Sequence, residues 1–340
     1  IMACERDLES YGKQLKNATN EAEASKGKLY QLGQTIEDNA DKFKSAGSKI
    51  SGTGTKATAA FGGIATAAYG AFNQLEAGEN VAIKGAGAIG DAADEIRRSV
   101  KSVAAQAPGD FETVGQAVGD VNTHFQITGD ALDDISTKFL KFAKVTDSDV
   151  SASVENVAMA MKAFNVDQSE TGNLLDHIAS VSTATGVSVD TLTAAVNTNG
   201  STFREMGLSL QDSVTLMGNF EAAGVPADQM LTGLKKAAAN CAKEGTSLSD
   251  TLKQLVTDLQ DPAKQSEATA TAFDLFGSKA ATSFIDAAES GRINMDNLGG
   301  SLDDAAGFVD GLKGETTTAA DKMAGAMKQI TLAGADLGEQ

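Results

Sequence analysis

Residues 130–164 read DALDDISTKFLKFAKVTDSDVSASVENVAMAMKAF, and their spacing decides the fold. Leu132, Ile135, Phe139 and Phe142 recur at three- or four-residue intervals, and beyond a short polar stretch Val150, Val154, Val157, Met161 and Phe164 do the same. An α-helix turns once in about 3.6 residues, so each set forms one apolar stripe that must be buried against a neighbour. Working outward, the pattern repeats at Leu174, Ile178 and Val181, at Leu192, Val196, Phe203 and Met206, and at Leu210, Val214, Met217 and Phe220. It continues at Met230, Leu234, Ala237 and Cys241, then at Leu248, Leu252, Leu255 and Leu259. Period-two alternation of useful length is absent, so the sequence predicts an all-α protein built as a series of antiparallel helix hairpins, each stripe burying one face. The repeats are similar without being equal, which argues against a strict solenoid.

Punctuation fits the stripes. Asp130, Asp167, Ser188, Ser209 and Ser247 stand where N-caps belong, with Glu170, Asp212 and Asp250 three residues after theirs. Asp133, Asp134, Asp147 and Asp149 are read as acids at helix starts. Gly186, Gly207, Gly224, Gly245 and Gly277 are expected at turns and C-terminal caps, and Pro226 in a first helical turn.

The first 55 residues carry a different pattern. A seven-residue repeat runs through Leu8, Tyr11, Leu15, Ala18, Ala22, Ser25, Leu29, Leu32, Ile36, Asn39, Phe43, Ala46 and Ile50. This predicts a coiled-coil arm whose oligomer seam is Leu8, Leu15, Leu29, Leu32, Ile36 and Phe43. Residues 57–75, ATAAFGGIATAAYGAFNQL, lack any charge but are rich in alanine, glycine and threonine. Small-residue faces let helices approach closely, and the glycines dilute the apolarity a spanning helix needs. The expected organisation is an arm over 1–55, an Ala/Gly-rich helical segment over 56–107, a core over 108–292 and a helical extension over 293–340.

With 28 basic and 46 acidic residues the formal charge is -18, which repels phosphate backbones and anionic headgroups, so specific nucleic-acid binding is not expected. The 35 glycines and absence of tryptophan imply a thin core. Cys4 and Cys241 form no framework, which suits a reducing or redox-indifferent setting. The start Ile1-Met2-Ala3 carries no secretory leader pattern, and the chain is expected to be a piece of a longer protein. Gly85-Ala86-Gly87-Ala88-Ile89-Gly90 matches GxGxxG after Val81-Ala82-Ile83, with Asp110 further on. Asp91, Asp94 and Glu95 nevertheless fill the turn where a pyrophosphate needs bare N–H groups, and the stretch reads better as a hinge or close helix contact. His124 and His177 sit at no metal-ligand spacing, and His177, beside Asp176, reads as a helix-surface residue. No catalytic, cofactor-binding or metal-binding residue is assigned, and no cofactor is expected.

From Asp110 to about Gly291 the order of segments resembles the core region of the phage tail tape measure protein family. The likeness is carried by LDDISTKFLKFAKVT, DVSASVENVAMAMKAFNV and LLDHIASVSTATGVSVDTLTAAV, then Met206-Gly207-Leu208-Ser209, AAGVPADQMLTGLKKAAA, SLSDTLKQL, Phe273-Asp274-Leu275-Phe276-Gly277 and DAAESGRINMDNL. The resemblance implies a non-enzymatic virion protein in the tail lumen and tip, present in the host cytoplasm during assembly. It implies trimeric or hexameric copies that set tail length, template the tube with tail assembly chaperones, contact tube and tip or baseplate proteins, and leave ahead of the DNA. Some members enter the host membrane at ejection or carry a cell-wall hydrolase, whose motifs are not visible here. A phage-tail-like bacteriocin or contractile injection particle would use the same protein, and a membrane-inserting helical protein is the reading from a different class.

Overall fold

The computed structural model describes residues 73–332 apart from 297, 319, 320, 323, 327 and 330, all within the second of two compact units, residues 70–340. The heptad seam (Leu8, Leu15, Leu29, Leu32, Ile36 and Phe43) and residues 57–72 lie outside them. The described residues form helices and no strand. In order these are α1 (73–86), α2 (Asp91–Gln106), α3 (Phe111–Phe125), α4 (Gly129–Thr146), α5 (Val150–Phe164), α6 (Thr171–Thr185), α7 (Val189–Glu205) and α8 (Leu210–Ala222). Then come α9 (Ala227–Glu244), α10 (Leu248–Gln260), α11 (Gln265–Phe276), α12 (Ser278–Glu289), a 3-10 turn (Leu302–Ala305), α13 (Phe308–Thr316) and further helical residues between 321 and 332.

The helices alternate between two rows. In one, α3 packs on α5, α5 on α7 and α7 on α8; in the other, α2 packs on α4, α4 on α6 and α6 on α8. Each helix therefore leans chiefly on its second neighbour, and α8 closes both rows. Beyond it α9, α10, α11 and α12 form a cluster centred on α11, which touches the other three. The stripes read from the sequence do the packing: α5 buries Val150, Val154, Val157 and Met161, and α4 buries Leu132, Ile135, Phe139 and Phe142. Phe139, Phe142, Phe203, Phe220 and Phe284 are the largest fully buried side chains and anchor the core.

One helix departs from one-faced burial. Every residue from Leu210 to Phe220 in α8 is buried, including Gln211, Asp212, Ser213, Thr215 and Asn219. Two rows meet on α8 and a later segment covers its remaining side, so the polar residues that a one-faced helix turns to water are enclosed here.

Local signals fixed most boundaries. Side chains of Asp110, Asp149, Ser188, Ser209 and Ser247 accept the backbone N–H three residues on, and Asp167 that of Ser169. Two acids fall elsewhere. Asp130 lies inside the first turn of α4, behind Thr128 as N-cap, and Asp147 closes α4 with φ 52 instead of opening α5. Gln126 and Asn165 end α3 and α5 the same way, at φ 57 and 54. The short polar side chains of Asp and Asn tolerate the left-handed conformation, so a helix can stop without glycine.

Gly207 follows α7 at φ 76, and a Cβ there would meet nothing within 4 Å. Gly207→Val therefore tests backbone strain alone, and its expected cost is about 1 kcal/mol or more. Equilibrium unfolding curves superimposable on those of the parent would refute it. Gly224 has φ 67, Gly277 joins α11 to α12 at φ 76 and ψ 166, and Pro226 immediately precedes α9.

Where α1 crosses α3, the two backbones touch. A Cβ on Gly115 would lie 2.1 Å from the Gly78 carbonyl oxygen, and one on Gly78 2.1 Å from that of Phe111. Farther along, Gly119 faces Ala82 and Gly85, and the Thr123 hydroxyl lies 3.0 Å from Gly85 O. The GxGxxG stretch thus begins inside a helix contact. Val81-Ala82-Ile83 is helical, so the strand a dinucleotide fold requires is replaced by α1.

Candidate functional site

After α12 the chain turns back along the helices it has already formed. The described residues between 290 and 332 act as a strap, and the side chains that seat it form an extended polar arrangement. Arg292 starts it, its guanidinium donating to Ala223 O and pairing with Asp286. Ile293, Met295 and Leu298 then bury their side chains.

Two of the polar residues of α8 hold this segment. Asn294 N–H donates to Asn219 Oδ1 at 2.8 Å, and Gly299 N–H donates to Asp212 Oδ1 at 2.6 Å. The second Asp212 oxygen accepts from the Ser249 hydroxyl at 3.0 Å, so one buried carboxylate ties α8 to α10 and to the strap. A buried carboxylate is costly unless it is hydrogen-bonded, and here each oxygen accepts a bond. Asp212, Glu170 and Asp250 occupy capping-box spacings, yet Asp212 is drawn into the strap and Glu170 accepts from Asn173. The reciprocal box forms instead in the strap itself, between Ser301 and Asp304.

His177 of α6 is buried against α8, contrary to its surface reading, with Nε2 3.2 Å from Gln211 O and 3.1 Å from Thr215 Oγ1. A carbonyl can only accept, so Nε2 carries the proton. Burial holds the imidazole below its ordinary pKa, against an upward pull from the Gln211 carbonyl and from Asp212 and Asp304. Its position next to Asp176 misled because the two face different partners. Asp176 points to the strap, accepting Gly307 N–H at 2.7 Å and Val309 N–H at 2.8 Å, and so caps α13 from another helix.

The protonation of His177 links the α6–α8 contact to pH. Since the folded value lies below the unfolded 6.5, the unfolded chain binds more protons between the two, and stability rises with pH. The His177 contribution is thus fully present above about pH 6.5 and is lost as pH falls below it, with a slope of at most about 1.4 kcal/mol per pH unit. Urea melts from pH 7.5 to 5 should show this slope, and His177→Gln should flatten it; an unchanged slope in the variant would exclude His177 as its source.

Farther along, Asn173 Nδ2 donates to Asp303 at 2.8 Å, Lys141 pairs with Asp310 at 2.7 Å and Lys144 with Asp321 at 3.2 Å. Asp321 is held down at about 2 by the hydroxyl and N–H of Thr318, with Lys144 adding to it. Last, buried Lys328 donates to Ala107 O at the end of α2. The strap thereby visits α8, α6, α4 and α2 in turn.

Gly207, Gly224, Pro226 and Gly277 stand at separate turns and are not brought together. Cys241 is a buried free thiol, and Cys4 lies outside the described residues. No group of three His, Cys, Asp or Glu residues could hold a metal ion among the described residues. A groove of 840 Å³ between α10 and α11 is lined by Asp250, Asp258, Lys264 and Glu267, with Lys264 already paired to Asp258. Sequence reasoning missed the strap because its partners are remote in the chain; the buried-polar composition of α8 was the available signal.

A two-row helical stack braced by a returning strap defines a structural module. Residues 127–332 match the family described as phage-related minor tail protein, which is more than half of the chain, and the chain belongs to that family. It is also similar to the tape measure protein of Pneumococcus phage Dp-1, at 22% identity over 260 residues that cover 75% of this chain and 22% of the relative. The chain thus spans about a fifth of that relative's length. No solved structure matches the chain significantly. Membership of that family makes the chain part of a phage tail protein.

Proposed function

We propose that the chain is the folded core module of a tape measure protein in the tail lumen, next to the tip, and that tail length is set by helical sequence outside the module. The observation that supports this is the fold itself. A helix rises about 1.5 Å per residue, and a ruler uses that rise only if it runs straight. Here the longest complete helices have 18 residues, and the strap returns over earlier ones. The chain matches only about a fifth of its tape measure relative, leaving most of that protein for other work. The heptad arm over 1–55 would join three or six copies, and tube proteins, tip or baseplate proteins and assembly chaperones would be the partners. Release ahead of the DNA belongs to the same reading. The same module would serve a phage-tail-like bacteriocin or contractile injection particle. No helix among the described residues is long and apolar enough to cross a membrane, so insertion would rest on residues outside them.

The test is tail length by electron microscopy after two kinds of deletion in the full-length gene. Removing heptads from helical sequence flanking the module should shorten tails by about 1.5 Å per residue. Removing α9 to α12 should abolish tails instead of shortening them. Proportional shortening by the second deletion, or unchanged length after the first, would overturn the assignment.

A further inference from the structure

Where the strap reaches α2 a pocket of 190 Å³ lies between it and Ala104, Ala105, Gln106 and the loop Ala107–Gly109. Its walls carry Lys144, Lys313, Lys322 and Lys328, with Asp321 as the sole carboxylate. This is a basic pocket on a chain of formal charge -18. Helix α2 ends in carbonyls, which explains why a lysine sits there, but only in part. Lys328 spends one of its three donors on Ala107 O, and Lys144 is occupied by Asp321. The Lys313 side chain is half-buried and its ammonium has no hydrogen bond or ion pair among the described residues; Asp310, which attracts it, is paired with Lys141.

We propose that this cavity binds a small oxyanion of the carboxylate or phosphate class between Lys313 and Lys328. Two ammonium groups lining one pocket repel each other, and an oxyanion between them would relieve that repulsion while accepting from their remaining donors. The volume admits such an ion together with water. The titration behaviour agrees: burial and the charge of Lys313 push Lys328 down to about 8, while burial and Lys141 lower Lys313. The other charges around Lys328 come from Asp110 at the start of α3, Lys141 and Lys144 on α4, Asp310 on α13, and Asp321 and Lys322 on the strap; α2 presents no charged side chain to the cavity. Asp110 and Asp321 are both held below the usual carboxylate range and stay ionised throughout, leaving the lysines to titrate.

The experiment uses the full chain, titrated at constant ionic strength with sodium phosphate and separately with sodium acetate, each against chloride. Binding is read by calorimetry and by the carbon and nitrogen shifts of the lysine side-chain ends. Saturable binding by either anion is expected, moving the Lys313 and Lys328 signals together and weakening as pH rises through about 8. Which anion binds tells the two sources apart. Lys313→Met should weaken binding about tenfold or more, and Lys162→Met, at the exposed end of α5, should not. Should Lys313→Met fail to fold, the parent shifts and Lys313→Gln decide. Absence of saturation by both anions, or saturation undiminished in a folded Lys313 variant, would overturn the proposal.

Discussion

Gly115→Ala is expected to destabilise the protein by about 3 kcal/mol, although helix propensity alone predicts a gain of about 1 kcal/mol. The two effects have opposite signs, and the geometry says which wins. The added Cβ would stand 2.1 Å from Gly78 O, a backbone atom in α1 that cannot rotate away as a side chain does. Relief requires α1 to separate from α3, which uncovers Leu75 and Ala82. Gly311→Ala in α13 is the control, because nothing lies within 4 Å of the site and only the propensity gain remains. Urea unfolding of both variants separates the cases. If Gly115→Ala were as stable as the parent, the close crossing of α1 and α3 would be wrong.

Asp212→Ala should cost about 3 kcal/mol as well, by a different route. Its two oxygens fill the Gly299 N–H and the Ser249 hydroxyl in a buried setting, and alanine leaves both donors without a partner. The loss should concentrate in the strap, so amide exchange at residues 293–299 should accelerate more than in α3 or α5. Adding Ser249→Ala should cost less in this background than in the parent, since its acceptor is already gone. Strict additivity, or exchange rising uniformly through the molecule, would sink the idea that Asp212 is the tie between α8, α10 and the strap.

The contrast between α5 and α8 shows what a sequence can reveal here. Val150, Val154, Val157 and Met161 announce a buried stripe because helical periodicity is local, and Ser188, Ser209 and Ser247 announce helix starts because a cap reaches only three residues. The all-helical fold followed from such signals. Asp147 escaped because a left-handed aspartate ends a helix as well as glycine does, while looking in sequence like the start of the next. His177 and Asp212 escaped for another reason. Their partners lie 34 to 87 positions away, and no periodicity within a helix encodes what will later be laid over it.

The strap also sets an order of events in time. Each row is made of near neighbours in the sequence, so the stack can condense turn by turn as the chain leaves the ribosome. The last tie, from Lys328 to Ala107, closes a loop of 221 residues, and its entropy can be recovered only when everything between has formed. Strap closure is therefore expected to come last in folding, and pulse-labelled amide exchange would show protection at 293–299 arising after that in α3 and α5. Until the strap closes, Asp212 and Asn219 of α8 lack the backbone N–H groups of Gly299 and Asn294, so the unstrapped chain carries a polar face that the finished module hides.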